Sequence, residues 1–380
     1  MSKRSDTKTT RRRFLTAAAA GGAAIAMPQV SRAQTATLKM QGSWGKADVF
    51  NEMAEDYVKR VNEMAGGRLR IDYLVGGSVV HPFQVFDGVH GGQIDAAHTV
   101  TVYWYGKHKA ASLFGTGPVF GFNANEGLGW IHNGGGKELF EELQTQIMKV
   151  NIKSFFAMPM PTQPLGWFKK PISNADDFKG VKFRTVGISI DLFTGLGAAV
   201  NALPGGEIVP AMDRGLLDAA EFNNASSDRL LGFPDVSKVC MLQSYHQNAE
   251  QFEIMFNKAK FDALPAKMKA LLESAVEAAS ADMSWKAIDR YSKDYVELQT
   301  KDKVRFYKTP DAVLQKQLGV FDQVEKKKSA DNPLFKEVAE SQRRFAERAV
   351  KWDLDTNVGR RMAYNHYFAK RTAKPEAKKK

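Results

Sequence analysis

Hydrophobic positions after residue 34 follow two alternating periods, one of two residues and one of about 3.6 residues. The stretch 38–44 predicts a first strand. Apolar residues at helical spacing between positions 50 and 61, with charged residues on the opposite face, predict an amphipathic helix that stops at Gly66-Gly67. The alternation over 69–75 then predicts a second strand with one buried face. Strands and helices in this order are typical of an α/β fold.

A short internal repeat links the two halves of the chain. The segment 76–82, with the sequence GGSVVHP, recurs one residue shorter at 205–210 as GGEIVP, and the segment 92–98 recurs at 215–221. Each copy predicts a strand, a Gly-Gly turn, a helix with proline in its first turn, a glycine stop and a short apolar strand that ends at His98 or Glu221. Two similarities in the same order favour a duplicated βαβ unit over coincidence.

The length of the chain predicts two lobes, because it exceeds the ~250 to 300 residues at which a single core stops growing. The predicted first lobe covers residues 34–158 together with segments that return from the C-terminal part, and the second covers residues 159–258. Residues 259–365 predict a region of long helices, near 265–300 and 310–351 with a strand at 303–307 between them. These helices either brace both lobes or pair with another subunit, and residues 366–380 predict a basic flexible tail.

The formal net charge of +12 is concentrated at the two ends of the chain. Seven basic residues before position 34 are opposed only by Asp6, and five in the last ten residues are opposed only by Glu376. The remaining body carries a net charge of only about +2, with acids and bases interspersed. This distribution is typical of a solvated surface and not of a basic stripe that binds the phosphates of a nucleic acid. We therefore expect no nucleic-acid partner.

The N-terminal segment predicts export. Arg11-Arg12-Arg13 precedes an apolar run from Ala17 to Met27, and Ser31-Arg32-Ala33 supplies a small-residue cleavage pattern. We interpret residues 1–33 as a twin-arginine signal peptide that is cleaved near Ala33, which places the mature protein in the periplasm. A transmembrane anchor is the alternative, but the run is shorter than the ~20 residues that span a bilayer and is rich in Ala and Gly.

The motif content of the chain favours binding over catalysis. Cys240 is the only cysteine, so an internal disulfide is excluded. The sequence contains no Gly-x-Ser-x-Gly elbow, P-loop or HExxH helix. Open α/β sheets bind ligands beyond the carboxyl ends of their strands, where Arg184 and Glu221 are expected.

Several segments resemble one family. The stretch 180–222, GVKFRTVGISIDLFTGLGAAVNALPGGEIVPAMDRGLLDAAEF, is similar to the core motif of the TRAP-type solute-binding proteins, the periplasmic components of tripartite ATP-independent transporters. Segments 93–98, 163–168 and 253–258, with Ala263-Leu264-Pro265 after the last, add to the resemblance. Within the family, the chain most resembles the branch that binds 2-oxo acids or 2-hydroxy acids together with a metal cation. The resemblance implies a two-lobed periplasmic-binding-protein (Venus-flytrap) fold that closes around its ligand.

The resemblance also implies a site. Arg184 is expected to hold the ligand carboxylate through paired hydrogen bonds, as a guanidinium can, although a structural salt bridge is the alternative. Gln163, Glu221 and the backbone carbonyl of Phe222 are expected to coordinate Na⁺ or Ca²⁺, and the cation to neutralise Glu221. The branch commonly has tryptophan where this chain has Phe222, a departure that bears on pocket shape and ligand size.

Further ligand contacts are expected from Tyr103, Asn223 and His246. Tyr103 combines an apolar ring with a hydroxyl, whereas its neighbour Trp104 is as well explained by core packing. His246 and His98 are also explained as structural histidines.

The expected function is therefore that of a non-enzymatic receptor that captures a small organic carboxylate and delivers it to a TRAP membrane permease. A homodimer through the C-terminal helices is a further expectation. Two alternatives stay open, a sensor-input protein that binds the same ligand class and an exported lyase or hydrolase that acts on a carboxylate.

Overall fold

A computed structural model describes residues 35–117, 120–161 and 163–369. The described residues form eleven strands, which in chain order are β1 (Ala36–Gly42), β2 (Leu69–Leu74), β3 (Ala96–Thr99), β4 (Ile152–Met160), β5 (Gly166–Phe168), β6 (Lys182–Arg184), β7 (Ala199–Asn201), β8 (Ala219–Ala220), β9 (Val239–Leu242), β10 (Glu250–Asn257) and β11 (Arg305–Lys308). They assemble into two sheets, one of order β2-β1-β3-β10-β4 and one of order β11-β9-β5-β8-β6-β7.

Fourteen α-helices occur in the same part of the chain. They are α1 (Val49–Ala65), α2 (Val85–His90), α3 (Ala111–Gly115), α4 (Ala124–Asn133), α5 (Gly136–Glu142), α6 (Ser189–Gly195), α7 (Gly205–Asp213), α8 (Ala225–Leu231), α9 (Phe233–Val236), α10 (Lys258–Asp262), α11 (Ala266–Thr300), α12 (Asp311–Asp331), α13 (Pro333–Thr356) and α14 (Arg360–Phe368). Short 3₁₀ turns cover Pro82–Gln84, Thr101–Trp104 and Ala175–Phe178, and a π-helical turn covers Leu143–Ile147.

The first helix shows how local sequence sets its bounds. Asp48 caps α1 by accepting a hydrogen bond from the backbone N–H of Phe50 at 3.0 Å. Gly66 ends it in the left-handed region, at φ 55°, where a side chain would be strained. Its apolar face, which includes Met53, Tyr57 and Val61, is buried in the core. The predicted helix and the two strands that flank it are confirmed.

The internal repeat corresponds to a repeated topology. In the first sheet, β1 lies between β2 and β3 and is parallel to both. In the second sheet, β6 lies in the same way between β7 and β8. Both sheets therefore contain the same β-α-β-α-β arrangement, and in both an antiparallel strand continues the sheet beyond the third strand of the unit, β10 in the first and β5 in the second. The α/β expectation and the two-sheet architecture are confirmed.

The second copy of the repeat differs from its predicted local structure. In the first copy, Pro82 begins a 3₁₀ turn ahead of α2, as expected. In the second copy, Gly205 and Gly206 form the start of α7 rather than a turn before it, so Pro210 lies inside the helix and not in its first turn. The prediction of a Gly-Gly turn followed by a proline-led helix was wrong for this copy.

The chain passes between the sheets three times, the last time through α11 from β10 to β11, and the first two passages correct the predicted boundaries. It leaves the first sheet after β4, at residues 161–165, and returns to it through β10, after residues 243–249. The predicted second lobe, 159–258, therefore extends too far, because β10 is a strand of the first sheet. The strand predicted at 303–307 is β11, which pairs with β9 at the edge of the second sheet instead of belonging to a separate helical region.

The long helix α11 packs against elements of both lobes. It contacts β4 and α1 of the first lobe and α8 of the second, through buried residues that include Met268, Leu272 and Met283. The predicted long C-terminal helices are confirmed. The start predicted for the flexible tail, residue 366, is too early, because α14 continues to Phe368.

The predicted signal peptide, residues 1–33, lies outside the described residues, as do residues 370–380 of the predicted tail. Among the helices that the structure describes, none has the length and apolar character needed to cross a membrane.

Candidate functional site

A small cavity lies where the two lobes meet. Its apolar lining comes from Trp44, Phe50, Val100, Val186 and Phe222, and its polar lining from Tyr103, Arg184, Asn223, Gln247 and Glu250. Apolar walls with a few convergent polar groups are the usual form of a small-molecule site.

Arg184 is the cation of this cavity. It is the last residue of β6, so its side chain projects at the carboxyl end of that strand, and only 1% of it is exposed. Nε donates to the carbonyl oxygen of Leu203 at 2.9 Å, and Nη1 donates to Glu221 Oε1 at 2.9 Å. Nη2 is buried and has no hydrogen-bond partner among the described residues. The guanidinium is therefore fixed on one side and has a spare donor on the other.

Glu221 follows β8, the neighbour of β6 in the second sheet. The carboxylate is fully buried, and burial raises its pKa to about 7 although the charge of Arg184 acts in the opposite direction. Oε2 has no hydrogen-bond donor within the described structure. Arg184 already pairs with Glu221, so part of the neutralisation expected from a cation comes from the guanidinium.

Gln163 lies in the first segment that passes between the sheets. Its backbone is bonded to the second such segment, which carries Gln247. Its backbone N–H donates to the carbonyl oxygen of Gln247 at 3.0 Å. Its side-chain Nε2 donates to Glu250 Oε2 at 3.1 Å, while the buried Oε1 has no donor in the part of the chain described. The two passages thus bring an amide oxygen to the region of the cavity.

Phe222 and Tyr103 are two aromatic residues of the cavity lining. The Phe222 ring lies 5.8 Å from the Arg184 guanidinium carbon and 6.0 Å from the Phe50 ring. Tyr103 packs against Trp44 and Phe83, at 6.2 Å and 4.6 Å between ring centroids. Its neighbour Trp104 is buried in the core beside Phe86.

Asn223 also lines the cavity. Its Nδ2 donates to Glu250 Oε2 at 2.5 Å, and its Oδ1 accepts from Asn224 at 3.0 Å. Both ends of the amide are therefore occupied by protein groups.

The two histidines are buried beside the cavity rather than in its lining. His246 contacts Ser244 through Nδ1 at 2.6 Å, and burial together with the charge of Arg184 lowers its pKa to about 3. His98 packs between Trp44 and Phe252, and burial lowers its pKa to about 3 as well. Both rings are neutral at physiological pH, which agrees with the structural interpretation that was left open for them.

Glu250 and Gln247 are cavity residues that sequence reasoning missed. Glu250 begins β10, and burial, followed by the charge of Glu221, raises its pKa to about 8. A signal was present in the sequence, because Glu250 is a charged residue close to the apolar run Ile254 to Phe256, directly after a polar connection. Trp44 and Phe50, which supply the aromatic wall, were predicted only as parts of the first strand and the first helix.

Hydrogen bonds join the two lobes around the cavity. Ser227 Oγ donates to Asp48 Oδ1 at 2.8 Å, which links α8 to the first turn of α1. The Tyr105 hydroxyl donates to Asp191 at 2.5 Å on another side. These hydrogen bonds hold the two lobes in contact beside the cavity.

The described residues contain no group of three or more His, Cys, Asp or Glu side chains that could hold a metal ion. A cation in this cavity would therefore need amide or backbone oxygens in addition to a carboxylate. Gln163 Oε1 and Glu221 Oε2 are buried oxygens of that kind.

Comparison with known families gives a match over most of the chain. The model of the bacterial extracellular solute-binding proteins, family 7 (DctP), matches residues 40–330. A monocarboxylate 2-oxoacid-binding periplasmic protein of Nostoc is 31% identical over 282 residues, which cover 72% of this chain and 76% of that protein.

Solved structures of similar proteins have the same fold. A TRAP transporter solute-binding protein from Bordetella bronchiseptica, with calcium and picolinate in the active site of a mixed-occupancy dimer, has a TM-score of 0.82 at 28% identity, covering 88% of this chain and 98% of that one. A TRAP periplasmic solute-binding protein from Pseudoalteromonas atlantica, with sodium and pyruvate bound, has a TM-score of 0.81 at 27% identity, covering 88% of this chain and all of that one. A counterpart from Colwellia psychrerythraea, at the same identity, holds calcium and pyruvate.

Proposed function

Because the chain belongs to family 7 of the bacterial extracellular solute-binding proteins, we propose that it is the periplasmic receptor of a TRAP transporter for a small 2-oxo or 2-hydroxy monocarboxylate. Proteins of this family are solute-binding receptors. The proposed receptor is exported, loses residues 1–33, captures the carboxylate together with Na⁺ or Ca²⁺, and delivers it to the membrane permease. It changes no covalent bond in its ligand.

The observation that supports this proposal most is the spare donor of Arg184. The guanidinium is buried, lines the cavity and has one terminal nitrogen without a partner in the described structure. Buried polar groups are nearly always hydrogen-bonded, so this nitrogen calls for an acceptor. A carboxylate supplies one, with a charge-assisted hydrogen bond that contributes about 1.5 to 3 kcal/mol.

Charge balance favours a cation as the second ligand. Arg184 and Glu221 are a buried ion pair with no net charge, so an anionic ligand alone would leave a negative charge inside the protein. A cation removes that penalty. We assign it to Gln163 Oε1, Glu221 Oε2 and the backbone carbonyl of Phe222, because the two side-chain oxygens are buried without donors among the described residues. Oxygen donors of this type suit Na⁺ and Ca²⁺.

Tyr103 and Asn223 complete the proposed ligand site. Tyr103 lines the cavity and offers a hydroxyl, while Asn223 lines it with an amide that Glu250 holds in place. His246 acts on the ligand only indirectly in this proposal, because its ring lies outside the lining and is neutral.

The C-terminal helices support the proposed homodimer. The described residues of α14 are all exposed, and they include Met362, Tyr364, Tyr367 and Phe368. On α11, Trp285 and Ile288 are 69% and 72% exposed and lie on one helix face. Large apolar residues that cluster on the surface mark interaction sites, and a second copy of this chain presents the same helices.

A thermal-shift panel tests the proposed function. The mature chain is freed of cations and melted with pyruvate, longer 2-oxo acids, lactate, dicarboxylates or sugars, each with and without calcium or sodium. A ligand at 100 times its Kd stabilises the native state by about 2.7 kcal/mol, a shift of several degrees. We expect 2-oxo or 2-hydroxy acids to raise the melting temperature, and more so with the cation. A shift with a sugar and none with any carboxylate would refute the ligand class.

A further inference from the structure

Three side-chain amides converge on the carboxylate of Glu250. Gln163 Nε2 and Asn223 Nδ2 donate to Oε2, at 3.1 and 2.5 Å. Gln247 Nε2 donates to Oε1 at 3.3 Å. All four side chains are buried, so these hydrogen bonds are shielded from water.

The backbone holds Glu250 at this point. It is the first residue of β10. The register between β10 and β4 shifts between Glu250 and Phe252, because β4 contains one more residue than β10 over this stretch. Bulges of this kind redirect side chains near binding sites. The Glu250 side chain therefore faces the first two of the passages between the sheets, which carry Gln163 and Gln247.

The direction of these hydrogen bonds decides which end of each amide remains available. Both oxygens of Glu250 accept from amide nitrogens here, so the nitrogen end of each amide faces Glu250. In a planar amide, the oxygen then points away from Glu250. The oxygens of Gln163 and Gln247 are both buried and have no donor in the described residues, whereas the oxygen of Asn223 accepts from Asn224.

We propose that Glu250 is the positioning residue of the cation site, which accepts the amide nitrogens of Gln163 and Gln247 and thereby presents both amide oxygens to the cation. Gln247 Oε1 becomes a further oxygen donor in this arrangement. The inference rests on the proposed function, since it concerns how the same site holds its cation. Partners that orient metal ligands typically change metal affinity by about 10- to 100-fold when they are removed.

Two substitutions separate positioning from charge. Neither Glu250→Gln nor Glu250→Met can carry a negative charge at this position. In Glu250→Gln, the new amide keeps an acceptor oxygen for Gln163 and Asn223 and presents its nitrogen only to Gln247. In Glu250→Met, no strong acceptor remains for any of the three amides. An effect of charge alone predicts equal losses from the two variants.

The measurement is the Kd of calcium by titration calorimetry in the presence of saturating pyruvate. We expect a loss of roughly threefold for Glu250→Gln and of about 10- to 100-fold for Glu250→Met. Glu253→Gln and Glu253→Met are the matched controls, since Glu253 is fully buried on the same strand outside the cavity lining, and both should stay within about twofold of the wild type. Equal losses for the two Glu250 variants, or no loss, would overturn the proposal.

A double-variant cycle covers the case in which Glu250→Met does not fold. Glu250→Gln and Gln247→Leu both remove the same amide oxygen from the cation, so the double variant should bind calcium no more weakly than the weaker single variant. Additive losses would overturn the proposal. If the wild type binds neither calcium nor pyruvate, the proposed function itself fails. If the wild type binds both but the Glu250 variants bind calcium as well as the wild type does, only the positioning role of Glu250 fails.

Discussion

Arg184 Nη1 donates to Oε1 of Glu221 across 2.9 Å, with 1% of one side chain and none of the other exposed. The two residues come from adjacent parallel strands of the second sheet, in which Arg184 is paired with Ala220, the residue before Glu221. Since the two charges cancel, the pair can stay buried, and the guanidinium keeps one donor for a ligand. The predictions below follow from this arrangement.

Substitution of Arg184 should abolish carboxylate binding. Arg184→Lys preserves the charge but not the planar set of donors, so we expect a loss of about 10- to 100-fold in pyruvate affinity, and Arg184→Met should remove the thermal shift altogether. Arg229→Lys is a matched control, because Arg229 pairs with Asp294, Glu297 and Asp302 at a different site. Wild-type affinity in Arg184→Lys would show that the guanidinium does not hold the ligand.

Substitution of Gln163 should reduce the dependence of pyruvate binding on the cation, with a smaller effect on the stability of the fold. Gln163→Ala removes a proposed oxygen donor, so pyruvate binding should become weaker and nearly independent of calcium. The measurement is the pyruvate Kd over a calcium series. Gln342→Ala serves for comparison, since Gln342 is a buried amide on α13 that also has an oxygen without a partner among the described residues. An undiminished calcium dependence in Gln163→Ala would remove Gln163 from the cation site.

Glu253 should make the ligand-free protein less stable as pH rises. Burial raises the pKa of Glu253 from 4.5 to about 8, so the native state keeps a proton that the unfolded chain releases in this window. The free energy of unfolding then falls with increasing pH between about 4.5 and 8, by at most about 1.4 kcal/mol per pH unit from this group. Glu253→Gln cannot ionise and should flatten the fall in denaturant unfolding at pH 5, 6.5 and 8. Parallel curves for the two proteins would contradict this assignment.

The proposed dimer should depend on the exposed face of α11. Trp285→Glu with Ile288→Lys places charges on that face and should shift the protein toward the monomer in sedimentation equilibrium. Lys293→Glu, on an exposed part of the same helix, tests whether any charge change has this effect. A wild-type chain that sediments as a monomer at every concentration would exclude the dimer.

Local sequence was sufficient where one element decides its own bounds. The apolar spacing of α1 and the left-handed Gly66 define that helix without reference to the rest of the chain. The second Gly-Gly pair misled the prediction, because Gly205 and Gly206 adopt helical geometry in α7 and the turn expected there does not form. A glycine pair is compatible with both structures, and the surrounding packing selects one.

The candidate site was predictable only in part. Arg184, Glu221 and Gln163 were predicted through a family resemblance; in the structure Arg184 pairs with Glu221, and Gln163 bonds to Glu250 of the cavity lining. Glu250 was missed because its position depends on the pairing of β10 with β4, strands about a hundred residues apart in sequence, and hydrophobic periodicity carries no information on such pairing. The bond between Arg184 and Glu221 was missed for the same reason, since strand order in a sheet is a long-range property.

A crystal structure of the mature chain with pyruvate and calcium tests the central claim most directly. We predict the pyruvate carboxylate against Arg184 Nη2 and an anomalous calcium peak bound by Gln163 Oε1, Glu221 and the Phe222 carbonyl. Pyruvate located away from Arg184, or calcium bound without Gln163 and Glu221, would contradict the account.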